Sequence, residues 1–186
     1  MLKRKAYDRL LEWKKNRNGK TALLIEGARR VGKSTLVEEF GRNEYASCLI
    51  VDFFQAPAEV RQYFEDYRTD FDTLFLYLST YYGVDLHERD TLIVFDEVQM
   101  FPTARGLLKY LVADGRYDYI ETGSLLSIKQ NVDGIVVPSE EESFELNPLD
   151  FEEFLWGMGE EKLVTLIRRQ FDSLKPLPDG LHRRAM

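Results

Sequence analysis

Gly27, Gly32, Lys33 and Ser34 fall at the spacing G-x-x-x-x-G-K-[ST] within the stretch GARRVGKST at 27–35. That pattern serves one kind of chemistry, the holding of phosphate. Glycines at its first and sixth positions let the loop curl so that backbone N–H groups point inward. The helix expected to follow adds unpaired donors and the positive end of its dipole. The expected phosphate contacts are therefore Gly27, Ala28, Arg29, Arg30, Val31, Gly32, Lys33, Ser34 and Thr35. Lys33 would bridge the β- and γ-phosphates, Ser34 would ligate Mg²⁺, and Thr35 would add a hydroxyl. Arg29 and Arg30 raise the local potential, although arginines at loop tips often face solvent.

A second group decides whether a bound nucleotide is only held or also broken. The run Leu92-Ile93-Val94-Phe95 ends at Asp96-Glu97. So apolar a run suits a central parallel strand, and ligands bind at the carboxyl ends of such strands. Asp96 there is suited to holding Mg²⁺, directly or through water. Glu97 is suited to orienting and deprotonating an attacking water. Two adjacent acids repel each other unless a cation lies close, and Mg²⁺ and Lys33 would supply it. Gln99, two residues on, is placed to hydrogen-bond the water or the acid pair. Cradle and acids together favour hydrolysis of a γ-phosphate over passive binding.

These side chains need strands and helices to hold them. Residues 3–16 carry Ala6, Leu10, Leu11 and Trp13 near helical spacing, and Asn16-Arg17-Asn18-Gly19 ends that helix. Thr21–Glu26 reads as a buried strand and Ser34–Gly41 as the helix after the cradle. Ser47–Phe53 is a second strand, and Glu59–Tyr82 reads as mostly helical. Its aromatic residues suit packing better than base stacking, because Glu65, Asp66, Asp70 and Asp72 would repel nucleic acid. Thr91–Phe95 is a third strand, Ala104–Ala113 a helix, and Tyr117–Thr122 a fourth strand. Ile135–Val137 and Ser143–Leu146 read as short strands flanking an acidic turn at Ser139–Glu142. Phe151–Met158 and Glu160–Leu174 read as helices. Strands alternating with helices imply an α/β fold with a mostly parallel sheet and right-handed crossovers.

The composition narrows the remaining classes. The chain has 186 residues, 44% hydrophobic and 31% charged, with a net charge of -7. Residues 1–42 hold 12 Lys/Arg against 5 Asp/Glu, so the body beyond them is strongly acidic. That argues against a broad nucleic-acid surface. No stretch approaches 18 uncharged apolar residues, so no membrane span is expected. The basic N-terminus lacks the apolar core of a signal peptide. One cysteine, Cys48, and two histidines, His87 and His182, exclude an internal disulfide and disfavour a zinc site. A reducing, cytoplasmic setting is expected.

Four segments carry a more specific likeness: LLIEGARRVGKSTL at 23–36, TLIVFDEVQ at 91–99, YDYIETGSLLSI at 117–128 and PSEEESFELNPLDFEEFLW at 138–156. In these the chain resembles the N-terminal ATPase domain of the bacterial and archaeal AAA-type ATPases that carry a C-terminal domain of the DUF4143 type. The resemblance implies a P-loop NTPase three-layer sandwich of the additional-strand type, with sheet order 5-1-4-3-2. It implies ATP and Mg²⁺ as cofactors. It also implies that Thr122 or Ser124 presents a hydroxyl between γ-phosphate and water, as sensor 1 does in AAA proteins. ATP rather than GTP follows from the resemblance and from the lack of an Asn-Lys-x-Asp motif.

The resemblance leads us to expect a single P-loop ATPase domain over residues 1–186, cut short before a lid and a C-terminal domain acting in cis. A second copy of the chain, a partner protein or DNA would be the further partners. Adenine could be walled by Tyr7, Leu10 and Leu11 or by Pro148 and Phe151. Arg105, Arg116, Arg168 and Arg169 are available as an arginine finger but none is assigned, and each is more often a surface charge. Three functions compete: an ATP hydrolase acting as a switch or motor, a small-molecule kinase, and a nucleotide-gated binding module with negligible turnover. The acid pair argues against the kinase.

Overall fold

A computed structural model of the chain describes residues 3–124, 141–178 and 180–181. They group into two compact units, Arg9–Asn147 on one hand and Met1–Asp8 with Pro148–Met186 on the other. The helix α1 (Lys5–Arg17) supplies residues to both.

Arg9–Asn147 is built on a five-stranded sheet of β1 (Ala22–Gly27), β2 (Ser47–Asp52), β3 (Thr91–Asp96), β4 (Asp118–Ser124) and β5 (Glu141–Glu145). The order is β2-β3-β4-β1-β5 and every pair is parallel. Read from the other edge this is 5-1-4-3-2, the order implied by the resemblance. β3 and β4 lie between neighbours on both sides. All six residues of β3 are buried, which explains its unbroken apolar run.

The helices α2 (Lys33–Glu44), α3 (Ala58–Asp66), α4 (Phe71–Tyr82) and α5 (Pro102–Asp114) cover the sheet. On one face Val51, Ile93, Phe95 and Tyr119 share a core with Val60, Phe64, Leu74, Leu78, Leu107 and Leu111. α2 packs against β1 to β4 and buries Leu36, Val37 and Phe40. Each such side chain contributes roughly 1.5–3 kcal/mol when buried. Phe40→Ala would cost about 3–5 kcal/mol, because the close-packed site cannot collapse fully.

Phe53, Phe64, Phe95 and Phe101 form a ring cluster with centroids 5.2–6.0 Å apart. It anchors a 3₁₀ turn, Val98–Met100, directly after β3. Arg61 stiffens the same place by donating to the carbonyls of Phe53 and Met100. The strand end that carries Asp96 and Glu97 is thus held from both sides.

Three boundaries differ from expectation. The segment 59–82 is two helices, broken at Tyr67–Asp70, where Asp70 caps α4 by accepting from the Thr73 amide at 3.1 Å. β4 runs on to Ser124. Glu141 and Glu142 lie inside β5 and not in a turn, because pairing with Ala22 and Leu23 draws them into the sheet. The strand expected at Ile135–Val137 lies outside the described residues.

In the other unit, α6 (Phe151–Gly157) and α7 (Glu161–Asp172) pack Leu155 on Leu163 and Val164. A capping box starts α6: Asp150 accepts from the Glu153 amide at 2.8 Å, and Glu153 accepts from the Asp150 amide at 3.0 Å. Glu153 also accepts from the Lys5 amide at 2.8 Å. Among the described residues, no helix is long and apolar enough to cross a membrane.

Candidate functional site

β1 delivers the loop at its carboxyl end. Gly27 has φ 153°, and a Cβ there would lie 2.4 Å from the Leu146 carbonyl oxygen, so no larger residue fits. Gly32 ends the loop at φ 97°, in the left-handed region, and its carbonyl accepts from the Leu36 amide at 3.0 Å. α2 then begins at Lys33, one residue before the expected Ser34.

The Lys33 side chain is only 5% exposed. Its Nζ donates to the carbonyls of Gly27 and Ala28, each at 3.0 Å. Burial lowers its pKa from the ordinary lysine value, while Glu97 and then Asp96 oppose that shift. The ammonium and the two acids therefore lie in one another's field. Ala28, Arg29, Arg30, Ser34 and Thr35 are exposed around them, with Val31 half-buried.

Asp96 is buried at the end of β3. Glu97 follows with φ 52° and caps the 3₁₀ turn. Thr122 joins the two acids. Its hydroxyl donates to Asp96 Oδ1 and accepts from the Glu97 amide at 3.3 Å. The expected place for this hydroxyl was between γ-phosphate and water; the structure engages it with the acids. Ser124 is paired in register with Gly27, at the mouth of the loop. Gln99 Nε2 donates to Glu97 Oε2. Asp52 stands in register with Asp96 on the neighbouring strand, but its carboxylate accepts from the Phe54 amide and the Gln55 side chain.

The candidate adenine walls divide differently. Leu10 is core and Leu11 is 37% exposed. Tyr7, Pro148 and Phe151 belong to the other unit, where Phe151 is 51% exposed.

Sequence reasoning missed a second charged cluster. Arg105, read as a surface charge, is buried. Its Nη2 donates to Glu141 at 3.0 and 3.1 Å, and its Nε lies 3.6 Å from Glu121. Glu121 is 0% exposed, and neither of its oxygens has a hydrogen-bond partner among the described residues. Desolvation first, then the neighbouring Glu141, pushes its pKa up to about 8. Desolvation raises that of Glu141 as well. The available signal was a glutamate inside the apolar strand YDYIET. Its partner on α5 becomes evident only once β4 is known to be central. Arg116, by contrast, pairs with Asp114 and Asp72, and Arg168 pairs with Glu152.

Residues 19–155 match a family model described as an AAA domain, AAA_14. The chain belongs to this AAA domain family. No curated protein matches this AAA domain. Among solved structures it is similar to a chain of Drosophila ORC bound to AT-rich DNA and Cdc6. That likeness has TM-score 0.52 and 10% identity, over 97% of this chain and 79% of the other. Drosophila ORC bound to GC-rich DNA and Cdc6 gives TM-score 0.52 at 12% identity, over 96% and 74%. Drosophila ORC bound to DNA gives TM-score 0.51 at 12% identity, over 76% and 89%. These likenesses show the fold of the AAA domain, a P-loop NTPase sheet.

Proposed function

We propose that this AAA domain binds ATP with Mg²⁺ and hydrolyses it to ADP and phosphate, as a switch or motor module. The observation that carries this reading is the loop after β1, whose buried Lys33 lies in the electrostatic field of Glu97 and Asp96 at the end of β3. Such an arrangement offers a cation to the phosphates and a base to a water. Ser34 and Asp96 would hold the metal through one hydroxyl and one carboxylate. Mg²⁺ suits that sparse set of hard oxygens, since it fills its remaining positions with water and phosphate. When bound, the metal neutralises charge on the phosphates.

The chain's own residues do the rest. Lys33 and the loop from Gly27 to Thr35 bind the phosphates and fix their orientation. Glu97 takes a proton from water as its oxygen bonds to the γ-phosphorus and the bond to the bridging oxygen breaks. Thr122 holds Asp96 and the Glu97 backbone in place, and Ser124 lines the same edge. We take the moved element to be a DUF4143-type domain in cis, on the resemblance of the quoted segments, and the setting to be cytoplasmic. The test combines calorimetry with phosphate release. Wild-type protein should bind ATP with Mg²⁺, gain melting temperature and release phosphate without an added acceptor. Lys33→Ala should abolish binding; retained affinity in that variant would sink the reading.

A second reading is a nucleotide-gated module, DNA- or protein-associated, with negligible turnover alone. It is favoured by the engagement of Arg105, Arg116 and Arg168 with carboxylates. An arginine finger supplied in trans is worth about 10³–10⁵ in rate. The structural neighbours are described as bound to DNA. Tight ATP binding without phosphate release, together with an ATP-dependent gel shift, would favour this reading over the first.

A further inference from the structure

At the amino ends of the strands, away from the phosphate loop, lies a cavity of about 410 Å³ lined by Lys20, Arg89 and Lys109. The three cations come from separate segments: the turn before β1, the turn before β3, and α5. Among the described residues no acid lines the space. In a chain of net charge -7, composition alone does not produce such a one-sign grouping. The six residues of β1, about 20 Å of strand, separate it from the phosphate loop.

Arg89 is fixed in this cavity. Its Nη1 donates to the Gly115 carbonyl at 3.0 Å and lies 3.3 Å from Asp118 Oδ1. Its Nη2 donates to Asn18 Oδ1 at 3.2 Å. The guanidinium packs on Gly19, where a Cβ would fall 2.1 Å from Nη1. Nε–H and one Nη2 hydrogen are left without a partner among the described residues. Lys20 and Lys109 are exposed and join no ion pair among those residues. Arg61, Arg68, Arg105 and Arg116, by contrast, are each committed to an acceptor. Cations often gather at helix C-termini because carbonyls end there unpaired. Here the carbonyls of Lys14, Arg17 and Leu111 already accept from the amides of Asn18, Lys20 and Gly115. The helix ends therefore do not engage the two ammonium groups.

Three cations around one space suit an anion with more than one charge and several acceptor oxygens. A carboxylate brings one charge and two oxygens, whereas a phosphate group brings nearly two charges and three oxygens. Arginine also matches phosphate through paired N–H groups. Val112 and Ala113 add an apolar wall, and the space is larger than a bare phosphate needs. We propose that this cavity is a second anion site. It takes the phosphate group of a small phosphorylated molecule, whose carbon body lies against Val112 and Ala113. The site is independent of the phosphate loop and of hydrolysis there.

Inorganic phosphate is the first probe, titrated into wild-type protein and followed in a ¹H–¹⁵N spectrum. The backbone amides of Gly19 and Gly115 should shift saturably, with half-saturation below about 10 mM. Sodium chloride at matched ionic strength should not reproduce the shifts. Lys20→Gln combined with Lys109→Gln changes two exposed side chains and should weaken this binding about tenfold or more. The response of Gly32 in the phosphate loop should stay as in wild type. Lys33→Ala should leave the Gly19 and Gly115 response intact, whatever it does to ATP. Phenyl phosphate, which adds a carbon body, should bind more tightly than phosphate. The proposal is overturned if phosphate gives no saturable shift, if chloride matches it, or if the double variant binds like wild type. Equal affinity for phosphate and phenyl phosphate overturns the placement of the carbon body. Duplex DNA that shifts the same amides at far lower concentration than either probe overturns the assignment to a small molecule.

Discussion

Consecutive residues of β4 point to opposite faces of the sheet and meet opposite chemistry. Thr122 turns its hydroxyl to Asp96 and the Glu97 amide at the strand end. Glu121 turns into the buried interior with Arg105 and Glu141, where its oxygens receive no hydrogen bond among the described residues. Carboxylates are the reactive groups on both faces, and their surroundings separate their uses. At the strand end Asp96 has a hydroxyl donor, and both acids lie in the field of Lys33. In the interior two buried carboxyls share one guanidinium, so one carboxyl holds its proton instead.

The sharpest break in this comparison is removal of charge on each side. Glu97→Gln should lower turnover about 10²- to 10⁴-fold while ATP affinity and melting temperature stay near wild type. Parallel single-turnover and calorimetric measurements would check it, and an unchanged rate would remove Glu97 from the base role. Across the sheet, Arg105→Met should instead cost about 3–5 kcal/mol of stability at neutral pH, read by urea unfolding. It leaves two buried carboxyls with no cation. Adding Glu121→Gln to Arg105→Met should restore part of the loss, since the neutral amide needs no counter-charge. A simple sum of the two single effects would mean that the three groups do not act as a unit.

The contrast also marks how far the residues could be read in one dimension. The cradle, the acid pair and the strand-to-helix order were legible because each is local: spacing, an apolar run and a turn are all visible within a dozen residues. The sheet order came through the resemblance of longer segments and not from periodicity. Glu141 and Glu142 were misplaced in a turn because three consecutive glutamates look solvated. Only pairing with β1 shows that they continue the sheet. The break at Tyr67–Asp70 was hidden by apolar residues on both sides, although Asp70 with Thr73 three residues on is a capping signal. Arg105 lies 16 residues before Glu121 and 36 before Glu141, and nothing local joins them. Burial of that kind depends on which strand is central and which side of α5 faces it. The engagement of Thr122 with Asp96 is likewise tertiary, although the resemblance had singled out the residue.

A smaller effect comes from titrating the interior alone. Glu121 is held protonated in the fold, with a pKa near 8 against about 4.5 in an unfolded chain. The folded state therefore binds more protons than the unfolded one between these values, and stability falls as pH rises from about 5 to about 8. Because Glu141 is coupled to it, the two titrate as a pair, and the slope belongs to both. Melting curves across that range should show wild-type protein losing stability and Glu121→Gln nearly flat, with the variant the more stable at the alkaline end. A wild-type slope of the opposite sign would mean that Arg105 keeps both carboxylates ionised.

The mildest change tests the strand end in return. Thr122→Val keeps the shape of a side chain that is fully buried and removes only the hydroxyl. Asp96 loses a donor and the Glu97 amide loses an acceptor, so stability should fall by about 1 kcal/mol. The hydroxyl joins both acids, so turnover should fall more than stability, with ATP affinity reduced less than turnover. Tyr45→Phe serves as the control. It removes a buried hydroxyl bonded to Asp118 at 2.7 Å at the far end of the same strand. It should cost a similar stability and leave turnover alone. If the two variants behaved alike in both measurements, the strand end would carry no chemistry that its buried interior lacks.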